Sequence, residues 1–309
     1  MERCSVLLTM GMAVYNEEKY IGEAIESLLS QTYKDFILII SDNASTDRTS
    51  EICKYYAAKD KRIIFVQHPK NKGAFFSFNY VLGRTNTQFF MLCGGHDKWD
   101  PQFVEKLLPL IQKENLVLVY PQSREIKIDG TLGRVFQENY TTTKIEKPAN
   151  RYSYVLRNIG KCNIIHGIWR TEVLKNCYFK PIIASDILVL LSAALFGKFK
   201  QYKSLLFFRR IVREEKNKYH RQFRSITGKY FQKNPSIFFL KLGFISENVK
   251  ILYRKDSQLS MISKLILSIQ TIYVWIKRFY ITPFSVKFFK KILPDRVYLF
   301  LKDRVKRYL

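Results

Sequence analysis

The stretch Ala13–Asp47, AVYNEEKYIGEAIESLLSQTYKDFILIISDNASTD, decides how the chain folds. Immediately upstream, Ser5–Val14 is an uncharged, mostly apolar run that fits a buried strand and stops at Tyr15-Asn16-Glu17-Glu18. Asn16 stands where a helix N-cap is expected. Ile21, Ala24, Ile25, Leu28 and Leu29 then recur on one helical face, with Glu18, Glu23 and Glu26 placed elsewhere, toward the helix's positive N-terminal half. Phe36–Ile40 is a second apolar run, and the polar loop Ser41–Asp47 follows its carboxyl end. The unit is strand, crossover helix, strand. In open parallel sheets ligands sit beyond the carboxyl ends of the strands, so Tyr15 and Asp42 are expected on one rim.

Working outward, the alternation continues. A helix is expected over Thr49–Lys59 with Asp47 at capping position, a strand over Arg62–Gln67, a turn with Gly73, and a helix over Ala74–Gly83. Strand Gln88–Cys93 leads into Gly94-Gly95-His96-Asp97-Lys98-Trp99-Asp100-Pro101, followed by helix Gln102–Lys113 and strand Leu116–Tyr120. Glu125–Phe136 alternates about Asp129-Gly130 as a hairpin does. Further on, Cys162–Trp169 is expected as a strand, Arg170–Asn176 as a short helix, Ile187–Phe196 as an apolar helix opened by Asp186, and Ser204–Val212 as a last strand. Repeated strand-helix alternation predicts an α/β fold with a mostly parallel sheet flanked by helices.

Charge divides the chain. The 309 residues hold 52 Lys and Arg against 26 Asp and Glu. Residues 198–309 carry 27 basic and 6 acidic side chains, whereas residues 1–197 carry 25 and 20. The excess therefore belongs to the last third, where nucleic acid, an anionic membrane surface and a phosphate-bearing lipid are equal candidates by electrostatics alone. No helix-turn-helix, zinc or RNA-binding pattern accompanies it, so nucleic acid is not expected as a partner. The five cysteines are odd in number, lack a CxxC pair and lie mostly in apolar stretches, which fits buried free thiols in a reducing cytosol. The N-terminus enters the first strand without a charged-then-apolar leader, and export is not expected.

The string Tyr15-Asn16, Ser27-Leu28-Leu29-Ser30-Gln31-Thr32-Tyr33 and Asp42-Asn43-Ala44-Ser45-Thr46-Asp47 resembles the opening of the family 2 glycosyltransferases, and the resemblance runs through nearly the whole first third. It implies a GT-A-type domain, placed at residues 1–217. It also implies an inverting transfer from a nucleotide-diphosphate sugar to a glycan or polyprenyl-diphosphate-linked acceptor, assisted by Mg²⁺ or Mn²⁺. In such a site Ala13 and Tyr15 flank the nucleobase, Asp42 or Asn43 bonds base or ribose, and Asn71 and Asn79 match the family's Asn-x-Gly and helical Asn. Where the family usually places Asp-x-Asp or Asp-Asp, this chain has His96-Asp97. Asp97 is the single carboxylate aligned with the metal contact; its alternative is a loop cap. His96 is a nitrogen ligand, a phosphate donor or a rim histidine bonded to backbone. Asp186, before an apolar helix closed by Gly197, matches the base that deprotonates the acceptor, a role compatible with helix capping. Arg209 and Arg210 lie where relatives carry a basic residue near the diphosphate.

A nucleotidyltransferase is the runner-up reading, and the Gly-rich loop it usually opens with is missing between the first strand and helix. Residues 218–309 are expected as basic amphipathic helices that hold the enzyme peripherally on the cytoplasmic face of the membrane. Pro283–Leu293 and Val297–Tyr308 mix apolar and basic side chains in that way, and Leu265–Ile276, at 12 residues, is shorter than the roughly 20 a bilayer span takes.

Overall fold

The computed structural model describes residues 6–160, 162–177, 179–212, 237–254 and 257–280. The chain divides into two compact units, residues 1–244 and 245–309. The expected domain boundary at 217/218 and the tail segments 283–293 and 297–308 lie outside the described residues.

The first unit is built on a sheet with nine strands among the described residues. Strand β1 (Leu8–Val14) lies between β2 (Phe36–Asp42) and β4 (Phe89–Gly94), with β3 (Ile63–Gln67) beyond β2, and all four are parallel. The connections are α1 (Ile21–Leu29), α2 (Thr49–Lys59) and α3 (Ala74–Gly83). Leu8, Met10, Met12 and Val14 alternate toward one core that includes Ile21, Ala24, Ile25 and Leu28 of α1 and Cys53 of α2. The opposite face of β1 meets α3. Gly11 leaves the room there, since a β-carbon at that position would fall within 2.8 Å of the Val81 side chain.

Past β4 the sheet turns mixed. The two-residue β5 (Lys98–Trp99) precedes α4 (Phe103–Lys113), the long β6 (Leu116–Ile126) pairs with β7 (Leu132–Phe136), and the chain continues through α5 (Pro148–Asn158) and a 3₁₀ turn at Asn163–His166. Strand β8 (Ile168–Arg170) is antiparallel to both β4 and β6; then come α6 (Thr171–Asn176), α7 (Ser185–Phe196) and β9 (Lys198–Arg210), which runs parallel to β6. Strands β1 to β4, β6 and β9 therefore share one direction, and the mostly parallel α/β expectation holds. Helices α8 (Ile237–Leu252) and α9 (Met261–Tyr280) follow.

Three expectations change. Helix α1 begins at Ile21, and Asn16 is no N-cap: it sits at φ 55° beyond β1. Cys162–Trp169 is a turn and a three-residue strand, because Asn163–His166 coils before Gly167 closes onto β6. Asp186 lies inside the first turn of α7, whose N-cap is Ala184 at φ 58°.

Gly167 holds this turn in place. A β-carbon there would collide with the carbonyl oxygen of Val119 in β6, which is backbone and cannot rotate away. Gly167→Ala should therefore lower stability by about 1–3 kcal/mol, read as a reduced urea midpoint at unchanged m-value. A midpoint equal to wild type would show that β8 shifts freely.

Candidate active site

The carboxyl ends of β1, β2 and β4 converge, as the strand register requires: Ala13 pairs with Ser41 on one side and Gly94 on the other. Tyr15 follows with 41% of its surface exposed, so its ring is available at the rim. Asn16 knits β1 to the loop after β2. Its backbone N–H donates to Ser45 Oγ at 3.0 Å, and its Oδ1 accepts from the Thr46 N–H at 2.9 Å. Asp47 stands one residue before Arg48, the N-cap of α2, and is not itself the cap, though its Oδ1 accepts from the N–H of Thr49 at 3.0 Å.

Several polar groups expected to meet a nucleotide are occupied by the protein. Asp42 is fully buried; its Oδ1 accepts from the Ser45 N–H and hydroxyl and its Oδ2 from the Ser50 hydroxyl. Asn43 donates to Asn71 Oδ1 at 2.9 Å and accepts from the Lys72 N–H at 2.9 Å, while Asn71 Oδ1 also receives the Gly73 N–H. These residues shape the loops that border the rim. Asn79 bonds both ways with the Phe179 backbone, donating at 2.7 Å and accepting at 2.9 Å, and so ties α3 to the segment before α7. A turn-forming Asp or Asn on a strand end serves the backbone first, and here that demand is met in full.

The loop after β4 carries the charge. Asp97 is 2% exposed, and its Oδ1 accepts from the Arg210 N–H at 2.9 Å. Among the described residues no hydrogen bond is made to its Oδ2, which faces Gly94; a β-carbon on Gly94 would come within 2.5 Å of that oxygen. His96 places Nδ1 3.0 Å from both carboxylate oxygens of Glu17. Burial alone would lower the His96 pKa, but the Asp97 and Glu17 carboxylates outweigh it and raise the pKa above the usual histidine value.

Arg209 and Arg210 point to opposite sides of β9, as adjacent strand residues must. Arg210 is buried: its guanidinium donates to the His96 carbonyl at 3.0 Å, pairs with Glu23, and lies 4.5 Å over the Tyr20 ring. It fastens the loop holding Asp97, and its guanidinium is engaged there by protein groups. Arg209 instead bonds Asn163 and acts electrostatically on His96, His166 and Cys162, so it is the arginine on the site's side.

The 3₁₀ turn brings in residues that the sequence did not single out. His166 Nδ1 donates to the Leu92 carbonyl at 2.9 Å, and burial lowers its pKa, which favours the neutral ring. Burial first, then the negative charge of the nearby Asp186 carboxylate, pushes the Cys162 thiol pKa well up, so it stays protonated. Asp186 Oδ1 accepts the Ile187 N–H at 2.9 Å. Asp186 thus has a neutral thiol in its electrostatic surroundings.

The signature on α1 proves to be a brace for this loop. Ser27 Oγ accepts the Trp99 N–H at 3.3 Å, Gln31 donates to the Asp100 carbonyl at 2.7 Å and accepts from the Val104 N–H at 3.1 Å, and the Thr32 N–H donates to the Pro101 carbonyl at 2.8 Å. The family profile described as Glycosyl transferase family 2 matches residues 9–170, which contain this brace and the His96-Asp97 loop. The chain belongs to that family. An uncharacterized glycosyltransferase of Methanocaldococcus jannaschii is 33% identical over 145 residues, covering 46% of this chain and 50% of the relative. The putative glycosyltransferase EpsE of Bacillus subtilis is 36% identical over 128 residues, covering 41% and 43%. The matches therefore span about half the length of these relatives. Among solved structures, S. aureus TarS 1-349 in complex with UDP-GlcNAc superposes with a TM-score of 0.63 at 16% identity, over 88% of this chain and 73% of that one. At that identity the likeness concerns the fold, which is GT-A.

Mg²⁺ and Mn²⁺ at phosphates are commonly held by one or two carboxylates, with substrate oxygens and water completing the shell. Asp97 Oδ2, turned toward Gly94 and without a hydrogen bond among the described residues, fits that requirement as a single anchor. No cluster of three or more ligating side chains stands among the described residues.

Proposed function

We propose that this protein transfers a sugar from a nucleotide-diphosphate donor to a hydroxyl of a glycan or lipid-linked glycan, with inversion. The observation that carries the proposal is the arrangement of Asp97, His96 and Arg209 at the end of the parallel strands, with Asp186 held beside Cys162 at the border of the same region. UDP-GlcNAc bound to the structurally similar TarS supports a nucleotide-sugar donor. Tyr15 would lie against the nucleobase beside the Ala13 backbone. Arg209 would face the diphosphate, with Asn163 orienting its guanidinium.

In the reaction, the acceptor oxygen bonds to the anomeric carbon while the bond from that carbon to the diphosphate oxygen breaks and its electron pair leaves with the nucleotide. Asp186 takes the acceptor's proton, and a base on the face opposite the leaving group gives inversion. Asp97 Oδ2 would hold Mg²⁺ or Mn²⁺, which neutralises charge on the leaving diphosphate. Arg209 adds a fixed positive charge that needs no reorganisation as the bond breaks. Burial keeps the Cys162 thiol neutral, so it adds no charge beside the Asp186 carboxylate.

A panel of UDP-, GDP- and dTDP-sugars with Mn²⁺ tests the reading by thermal shift and nucleotide release. A ligand at about 100 times its Kd adds roughly 2.7 kcal/mol, so the cognate donor should raise Tm by several degrees. No shift and no release with any donor, together with tight binding to random DNA, would favour the nucleic-acid reading instead.

A further inference from the structure

Helix α9 carries its apolar side chains on both faces. Leu267, Ser268, Thr271 and Trp275 are buried, and their spacing marks the packed side. Met261, Ile262, Leu265, Ile266, Ile269 and Ile272 recur on the other side, exposed by 67%, 73%, 57%, 48%, 59% and 38%. An outward helix face is normally polar, and a contiguous apolar patch of a few hundred Å² or more usually marks a contact surface. The start of the helix is fixed by the protein, since Ser260 Oγ accepts the Ser263 N–H at 3.2 Å.

Charge selects the occupant. Helix α9 holds Lys264, Lys277 and Arg278 and no acidic residue, and residues 198–309 hold 27 basic against 6 acidic side chains. Two copies of so basic a region repel one another, whereas an anionic leaflet attracts each Lys and Arg near it. Among the described residues no helix is long and apolar enough to cross a membrane. A one-sided apolar helix within a basic region lies in the plane of the bilayer interface. We infer that the exposed Met261–Ile272 face of α9 seats in the interfacial layer of an anionic membrane. This goes beyond the proposed transfer reaction and stands whether or not the donor is a nucleotide sugar. It moves the expected membrane contact onto a helix whose 12-residue apolar core is too short to span.

The test is co-sedimentation of the full chain with vesicles of 70% phosphatidylcholine and 30% phosphatidylglycerol, beside pure phosphatidylcholine, at low and high salt. Ile262→Ser, Leu265→Ser and Ile269→Ser combined remove exposed side chains only, so circular dichroism and Tm should match wild type. The expected result is binding to anionic vesicles alone, weakened by salt, and reduced roughly tenfold or more in the triple variant. Equal binding by the triple variant would overturn the inference and assign the contact to basic residues elsewhere. So would a dimer in analytical ultracentrifugation that the triple variant loses while neither protein binds vesicles. The thermal shift with nucleotide sugars should be the same in wild type and triple variant, so failure of one reading leaves the other measurable.

Discussion

Asp186→Asn should lower kcat by about 10²–10⁴-fold, the span of general-base contributions, while donor affinity changes by less than about twofold. The geometry makes this substitution clean. Asp186 Oδ1 accepts the Ile187 N–H at 2.9 Å, and an amide oxygen can keep that bond. What the variant loses is the negative charge that, in the proposed reaction, would take the acceptor's proton. An interaction needed only in the transition state affects turnover and spares ground-state binding. Single-turnover transfer beside equilibrium binding of the nucleotide separates the two quantities. Turnover near wild type would remove Asp186 from the chemistry and leave it as a helix-start residue.

The N-terminal half was legible because its structure is local. Helices α2 and α3 fall on their expected bounds, Thr49–Lys59 and Ala74–Gly83, since each parallel βαβ unit announces itself by a change from strand to helix periodicity. The second half pairs across long separations: β9 lies against β6 some 80 residues earlier, β8 has three residues, and β5 has two. Such short strands carry no period of their own. Helix α5 was missed although Pro148 stands in its first turn and Tyr152, Val155, Leu156 and Ile159 keep helical spacing, a signal that was available. At the site, strand-end positions could be read, but the use of each side chain could not. Which carboxylate meets His96, and that Cys162 lies in the field of Asp186, depends on the approach of distant segments. The division between Arg209 and Arg210 was within reach, because neighbours on a strand face opposite ways and only one of the two can serve the rim.

Asp97→Asn should reduce transfer by about 10²-fold or more and weaken donor binding, with a chelator producing a comparable loss in wild type. Asparagine is the informative replacement because Asp97 is not a free rim residue. It is 2% exposed and accepts the Arg210 N–H at 2.9 Å, so Asp97→Ala would also release the end of β9 and the arginine packed on Tyr20. Asp97→Asn retains an oxygen for that N–H and removes only charge, so a loss at unchanged Tm reports on the diphosphate and its cation. His96→Ala serves as the comparison. It frees Glu17 from its 3.0 Å partner next to Asp97, and a residue that supports a metal ligand costs about 10- to 100-fold when removed. Its loss should therefore be smaller than that of Asp97→Asn and should change the preference between Mg²⁺ and Mn²⁺. Two results together would sink the cation role: wild-type transfer undiminished by chelator, and Asp97→Asn active. The leaving charge would then be proposed to rest on Arg209, whose guanidinium bonds Asn163 rather than the loop that holds Asp97.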